Sequence, residues 1–280
     1  MKITTYVTVT DPISMGFPVF EAVKSYLSFS DEVLLIVGRD TENFCKQVSE
    51  VSDKVVCLET NLWPKDWNYN HMTYHMNFGL QKAEGDIIVH MGADCIFADQ
   101  HGGQIRDKLI DILHNKNFCH FDRLNYYHGY GYGLKSGITL FAINKKRMLD
   151  NSTKFEISAP NGSNVLLIDG AEPALESETR IKEVNLLPRN FDDTFCSLDQ
   201  GLKKWFAWGV AHEKTKGIQV GTKSWYSDLD ISESKSYEEV KNDWLSYKAR
   251  KASSCTSQYE HPDVVKEKLL IADKKFHNGI

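Results

Sequence analysis

Along the first hundred residues the apolar positions follow two different repeats, and the switches between them mark out the secondary-structure elements. Residues 2–10, KITTYVTVT, are rich in β-branched side chains and stop at Asp11-Pro12, which predicts a strand running into a loop. From Pro18 to Phe29, Val19, Phe20, Val23, Tyr26 and Leu27 recur at helical spacing, behind a proline whose missing N–H costs nothing at a helix start. DEVLLIVG at 31–38 is a continuous apolar run ending in glycine, the pattern of a strand covered on both faces. A helix over 41–52 and a short strand at 55–59 complete a β-α-β-α-β succession. A polar, aromatic loop, LWPKDWNYN, leads into a helix from about His71 to Lys82 that Glu84-Gly85 is expected to cap. The strand DIIVHM then delivers GADCIF at 92–97.

Short strands alternating with helices predict an α/β fold, with a mostly parallel central sheet flanked by helices and right-handed crossovers. In such sheets the ligand lies at the carboxyl ends of the strands, which locates a site before any motif is used. Beyond residue 100, Ile105, Leu109, Ile112 and Leu113 form one helical stripe, and GITLFAINKKRM reads as a strand entering a helix. Residues 151–189 carry the loop signals NST, PNGSN and DGAEP. Two charged helices close the chain at 237–252 and 263–276, the first docking through Val240, Trp244 and Tyr247. The domain reading is one α/β body over 1–230, with 1–100 and 101–230 as its two halves, and a helical extension over 231–280.

Composition narrows the classes of function. A formal charge of -5 opposes a protein that coats nucleic acid through a uniformly basic surface, although a local basic strip on the last helices can still steer an anionic acceptor. No apolar run approaches a membrane span, and the opening MKITTYVTVTD does not form a signal-peptide core, so the expected location is the cytoplasm, the host's if the protein is viral. The six cysteines are scattered without a CxxC pair, which fits reduced thiols.

The succession SYLSFSDEVLLIVGRDTEN, a WP-containing loop, and NFGLQKAEGDIIVHMGADCIF resembles the first half of family 2 glycosyltransferases of the GT-A fold, over roughly residues 3–100. Asn77, Gly79, Ala83, Gly85, Asp86 and Asp94 stand where that family has its N-x-G…A-x-G-D phrase and the last acid of DxD. Two departures are visible. Gly92 replaces the first DxD acid, and Val37 replaces the aspartate usual at the end of the second strand, which leaves Asp40 to contact the base. The resemblance implies a nucleotide-sugar donor, UDP-linked by preference, held by Thr10, Asp11, Asp40, Asn77, Gly92, Ala93 and Asp94. It also implies a divalent cation, Mn²⁺ or Mg²⁺, held by Asp94 with His212, or with His261 as a second candidate.

The chemistry explains these residue types. A nucleotide sugar leaves behind a diphosphate whose negative charge needs a hard cation, and such ions prefer oxygen ligands. The rival account of Asp94 is a strand cap or turn residue. In an inverting transfer the acceptor hydroxyl loses a proton during attack, so a carboxylate must stand opposite the diphosphate, and Asp193 or Asp192 in LLPRNFDDTFC fits. The alternative is a helix N-cap. DRLNYYHGYGYGLKSG combines four tyrosines and four glycines in 16 residues. Tyr127, His128, Tyr130 and Tyr132 there suit a sugar acceptor, or else a glycine-rich hairpin. The leading reading is hexosyl or pentosyl transfer to a soluble glycan or a modified base in DNA. The alternatives are nucleotidyl transfer on a similar sheet, and a nucleotide-sugar or carbohydrate-binding module without catalysis.

Overall fold

The computed structural model describes residues 1–64, 67–126, 132–135, 140–145, 153–157, 164–168, 170–173, 176–191, 194–197, 200–202, 204, 211, 215, 237–252 and 259–277. Its first part follows the predicted succession: β1 (Ile3–Val9), α1 (Val19–Leu27), β2 (Glu32–Val37), α2 (Phe44–Ser49), β3 (Val55–Glu59), α3 (Tyr69–Lys82) and β4 (Ile87–Met91). β5 (Cys95–Ile96), α4 (Gly102–Asn115), β6 (Phe118–Phe121), β7 (Arg123–Tyr126), β8 (Tyr132–Lys135), β9 (Phe141–Asn144), β10 (Lys154–Ile157), β11 (Asn164–Leu167), β12 (Arg180–Ile181) and β13 (Arg189–Asn190) follow. The last helices are α5 (Tyr237–Ala252) and α6 (Lys266–His277).

Seven strands form the central sheet in the order β12-β6-β9-β4-β1-β2-β3. β3, β2, β1 and β4 run parallel, and β9 is antiparallel to both its neighbours. This is the mixed α/β architecture the alternating pattern predicts. Its strands are apolar on both faces because each face is covered. Val7, Val33, Leu35, Val37 and Val89 join the core beneath α1 and α4, while Tyr6, Leu34, Ile36 and Ile88 join a second core beneath α3. A smaller sheet, β5-β13-β7-β8, stands beside it. The tyrosine- and glycine-rich stretch therefore builds a hairpin, with Tyr126 opposite Tyr132.

The phrase that carries the family resemblance has structural work to do at almost every position. A Cβ on Gly79 would lie 2.4 Å from the Tyr6 ring, so only glycine lets α3 settle on β1. Ala83 is fully buried, Asp86 accepts the Lys2 N–H at 2.9 Å, and a Cβ on Gly85 would lie 2.6 Å from the Thr4 nitrogen. The expected Glu84-Gly85 cap does not form. α3 ends at Ala83 in extended conformation, and Gly85 is required by the close approach to β1.

One further expectation changes. Cys45 and Cys57, read as free thiols, are joined as a disulfide between α2 and β3. Twelve residues apart in sequence, they meet because α2 packs back over β3, which spacing alone does not reveal. The C-terminal helices pack on the body: Val265 and Leu269 are buried in the core beneath α1, Lys268 pairs with Glu21, and Trp244 is 3% exposed. Val240 and Tyr247 lie outside the side chains described. Among the described residues no helix is long and apolar enough to cross a membrane.

Candidate functional site

Because β2, β1 and β4 are parallel neighbours, their carboxyl ends fall on one edge of the sheet. The register aligns Val9 with Val37 and Val7 with Met91. Thr10-Asp11, Gly38-Arg39-Asp40 and Gly92-Ala93-Asp94 continue from those three ends.

Asp11 is the most constrained residue of this edge. It is 6% exposed, holds φ +38, and pairs with Arg39 while accepting from the Thr41 N–H at 3.2 Å and the Thr41 hydroxyl at 2.9 Å. Burial alone would raise its pKa, but Arg39 and Thr41 together hold it below the ordinary carboxylate value. A left-handed aspartate tied to an arginine is held by its surroundings rather than by local preference. Asp11→Ala is expected to cost about 2–3 kcal/mol of stability, at or below the foot of the range for breaking a fully buried pair because Arg39 keeps partial solvent contact. Urea unfolding of the single variants and of Asp11→Ala/Arg39→Ala checks this, and additive single effects would rule out the coupling.

Around this edge polar atoms are left unmet. Thr10 Oγ1, Arg39 Nη1 and Trp63 Nε1 are buried with no hydrogen-bond partner, and Trp63 packs directly on Gly38. Buried polar atoms are normally satisfied, so such a group beside strand ends marks a place for a polar ligand.

Asp94 sits half-buried in the tight turn between β4 and β5, where Cys95 N–H returns to the Gly92 carbonyl at 3.3 Å. The fully buried Tyr26 hydroxyl fixes that turn from α1, within hydrogen-bond reach of the Gly92 carbonyl at 2.6 Å and of the Cys95 carbonyl. Burial first, then the neighbouring Cys95 thiol and Asp94 carboxylate, raises the Tyr26 pKa, so the phenol stays a donor. A Cβ at position 92 would lie 2.6 Å from Asp94 Oδ1. Glycine at the first DxD position thus leaves the space that the Asp94 carboxylate occupies.

The second informative segment arrives at the same turn. β13 pairs antiparallel with β5, Asn190 opposite Cys95, and the Phe191 N–H donates to the Asp94 carbonyl at 2.8 Å. Asp192 and Asp193 lie outside the described residues, as do Tyr127, His128, Tyr130 and His212. Their flanks are placed: Phe191 is fully buried and Thr194 N–H bonds its carbonyl at 3.0 Å.

Three predicted ligand contacts turn out to be structural. Both ends of the Asn77 amide bind the Phe155 backbone, at 2.7 and 3.0 Å, so it holds β10 on α3 instead of reaching a donor. Asp40 accepts from the backbone N–H groups of Glu42, Phe44 and Cys45 and caps α2. Tyr132 is 1% exposed, and its hydroxyl lies 2.7 Å from His261 Nδ1. It cannot present a face to an acceptor. It packs instead against Tyr126, Phe191 and Tyr259, tying His261 to the segment that precedes Asp192.

Missed by the sequence reading is a polar row beside Asp94. Register places Asn190 between Cys95 and Asn125, and Arg123 follows two residues away on the same face of β7. Arg123 Nε and Asn125 Oδ1 are buried without partners. The alternation in RLNY was the available signal, but nothing local says that β13 lies beside it.

A divalent cation fits Asp94 as a hard oxygen ligand in a half-open turn. Among the described residues Asp94 belongs to no group of three metal-ligating side chains, so the remaining ligands would have to come from elsewhere.

No family model matches the chain, and no curated protein matches it. Solved structures similar to it include Staphylococcus aureus TarS 1-349, at 13% identity and TM-score 0.45, over 100% of this chain and 92% of that one. The mannosyltransferase PcManGT from Pyrobaculum calidifontis, in complex with GDP-Man and Mn2+, is similar at 10% identity and TM-score 0.43, over 99% and 79%. Glucosyl-3-phosphoglycerate synthase from Mycobacterium tuberculosis, with Mn2+ and UDP, is similar at 11% identity and TM-score 0.34, over 52% and 58%.

Proposed function

We propose that this chain is a metal-assisted glycosyltransferase of the GT-A type, moving a sugar from a nucleotide donor, UDP-linked by preference, to a hydroxyl or base of a soluble acceptor. The observation that carries the reading is the hydrogen bond from Phe191 N–H to the Asp94 carbonyl. It brings residue 191, the one before Asp192, to the turn that carries Asp94 at the edge of the parallel sheet, which supports giving the two acidic segments adjoining tasks.

In this reading the donor lies across the ends of β1, β2 and β4. Thr10 and Arg39, with unmet polar atoms, would face its nucleotide, and Asp94 its diphosphate. The chemistry that Mn²⁺ or Mg²⁺ supplies, when bound, is neutralisation of charge on the departing diphosphate. Asp94 would hold that ion, joined by His212 or by His261, whose Nδ1 is already engaged by Tyr132. Tyr26 fixes the turn that aims Asp94, and Gly92 keeps its space open. As the acceptor hydroxyl attacks the anomeric carbon, a new C–O bond forms and the bond to the diphosphate breaks. The hydroxyl proton passes to Asp193, or to Asp192 beside it. Such a single displacement would invert the configuration at the sugar carbon.

Asp94→Ala is expected to leave the fold intact and to remove metal-dependent donor binding, a loss of at least about 100-fold for a direct ligand worth several kcal/mol. Calorimetry with UDP-sugars, with and without Mn²⁺, is the test. Unchanged metal-dependent affinity would take Asp94 out of the site. Hydrolysis or transfer of a nucleotide sugar with Mn²⁺ separates an enzyme from a binding module.

A further inference from the structure

Next to that edge, where β3 ends beside β2 and α2 begins, Asp40, Cys45 and Glu59 converge beside Cys57. The ligand atoms of Asp40, Cys45 and Glu59 all lie within 4.8 Å of one another, and Cys57 is bonded to Cys45. Cys57 and Glu59 are two residues apart on β3 and share a face, the one α2 covers. Asp40 stands in the loop before α2 and Cys45 in its first turn. Glu59 is exposed while Asp40, Cys45 and Cys57 are half-buried, so an ion can enter from solvent.

From this arrangement we infer that the reduced form of the protein binds one zinc ion through Cys45, Cys57, Asp40 and Glu59. Two thiolates and two carboxylates satisfy the tetrahedral preference of Zn²⁺ for S and O ligands, and thiolates select it over Mg²⁺ or Mn²⁺. Asp40 can ligate and still cap α2. Its Oδ1 accepts from Glu42 and Phe44, but its Oδ2 accepts only from Cys45 N–H, at 2.9 Å, which leaves a lone pair on the oxygen nearest the thiols. The three backbone donors orient the carboxylate, as second partners do in metal sites.

The redox step balances with a thiol reductant. The Cys45–Cys57 bond takes up two electrons and two protons from two reductant thiols, which become a disulfide. Zn²⁺ then displaces the two new thiol protons to solvent. The disulfide and the metal are therefore alternative clamps between α2 and β3, and the redox state selects between them. This site uses neither Asp94 nor Asp193.

The test uses the full chain, oxidised or reduced with a phosphine. Reduction under native conditions should expose two further thiols in a colorimetric titration. Co²⁺ added to the reduced protein should then bind at one equivalent, with thiolate-to-cobalt charge-transfer bands and tetrahedral ligand-field bands that Zn²⁺ abolishes. The oxidised protein should lack the thiolate bands, and Cys57→Ser, which keeps only the Cys45 thiolate, should show them at about half intensity with weaker Co²⁺ binding. Glu59→Gln, which leaves the cysteine pair untouched, should weaken Co²⁺ binding about tenfold or more. Cys95 lies beside Asp94, so Asp94→Ala is the control: its thiolate bands should match those of the unaltered chain, which tells the two sites apart. The inference is overturned if reduction frees no thiols, if natively folded reduced protein shows no thiolate band, or if Cys57→Ser or Glu59→Gln binds Co²⁺ as the unaltered chain does.

Discussion

Asp193→Asn is expected to slow transfer by about 10²–10⁴-fold, the usual contribution of a general base, while leaving donor affinity nearly unchanged. The split follows from the two proposed roles. Asp94 would act on the donor, so its loss appears in binding. Asp193 would act on the acceptor proton, so its loss appears in turnover. Phe191 N–H, one residue before Asp192, anchors its strand to the Asp94 carbonyl. Single-turnover rates and calorimetric affinities for both aspartate variants check the division. Turnover by Asp193→Asn at the unaltered rate would move the base elsewhere, and Asp192→Asn is the control that shows whether the neighbour carries the task.

A steep loss of stability in mild acid is the second large effect. His90 lies on β4 between Tyr6, Phe141 and Phe155, is 7% exposed, and has a buried Nδ1 with no partner. Burial pushes its pKa from 6.5 down to about 3. The sign follows directly. The native ring stays neutral down to about pH 3, whereas the unfolded chain takes up the proton below 6.5. The stabilising difference is therefore complete above pH 6.5 and falls by about 1.4 kcal/mol per pH unit beneath it. About 3 kcal/mol is lost from this residue by pH ~4.5, a large share of the 5–15 kcal/mol typical of a domain. His75 and His120 add to it in the same direction, since burial lowers both. In His75 both ring nitrogens are engaged, Nδ1 at 2.6 Å from the His71 carbonyl and Nε2 at 2.6 Å from the Thr60 hydroxyl. The carbonyl can only accept, so Nδ1 carries the proton and Nε2 accepts. His90→Phe keeps a ring in the aromatic box and removes one titrating group. Urea unfolding between pH 7 and pH ~4.5 should show a shallower decline in that variant, and an identical slope would refute the assignment to His90.

The elements of the first hundred residues could be read from the chain because each is long enough to show its own period. Five consecutive apolar residues at 33–37 announce a covered strand wherever their neighbours lie, and the stripe Ile105, Leu109, Ile112 and Leu113 announces a helix face. Asp94 was legible for the same reason, as the residue that follows a well-marked strand. The limits are equally physical. β5 and β13 are two residues each, too short for any period, yet their pairing is what brings residue 191 to Asp94. Asn77, Gly79 and Gly85 read as family motif, and their partners Phe155, Tyr6 and Thr4 are named by no local pattern.

By itself, then, the sequence determined the alternation of strands and helices and the parallel core of the sheet, because these depend on which side chains leave water. Only the tertiary structure decided which polar groups are free for chemistry and which are consumed in holding the fold. Asn77 and Tyr132 look like ligand contacts in one dimension and are hydrogen-bonded supports in three. Cys45 and Cys57 look like scattered thiols and are neighbours. Hydrophobic burial is written along the chain as a period, whereas a hydrogen bond or a ligand cluster is a meeting of residues that the period does not name.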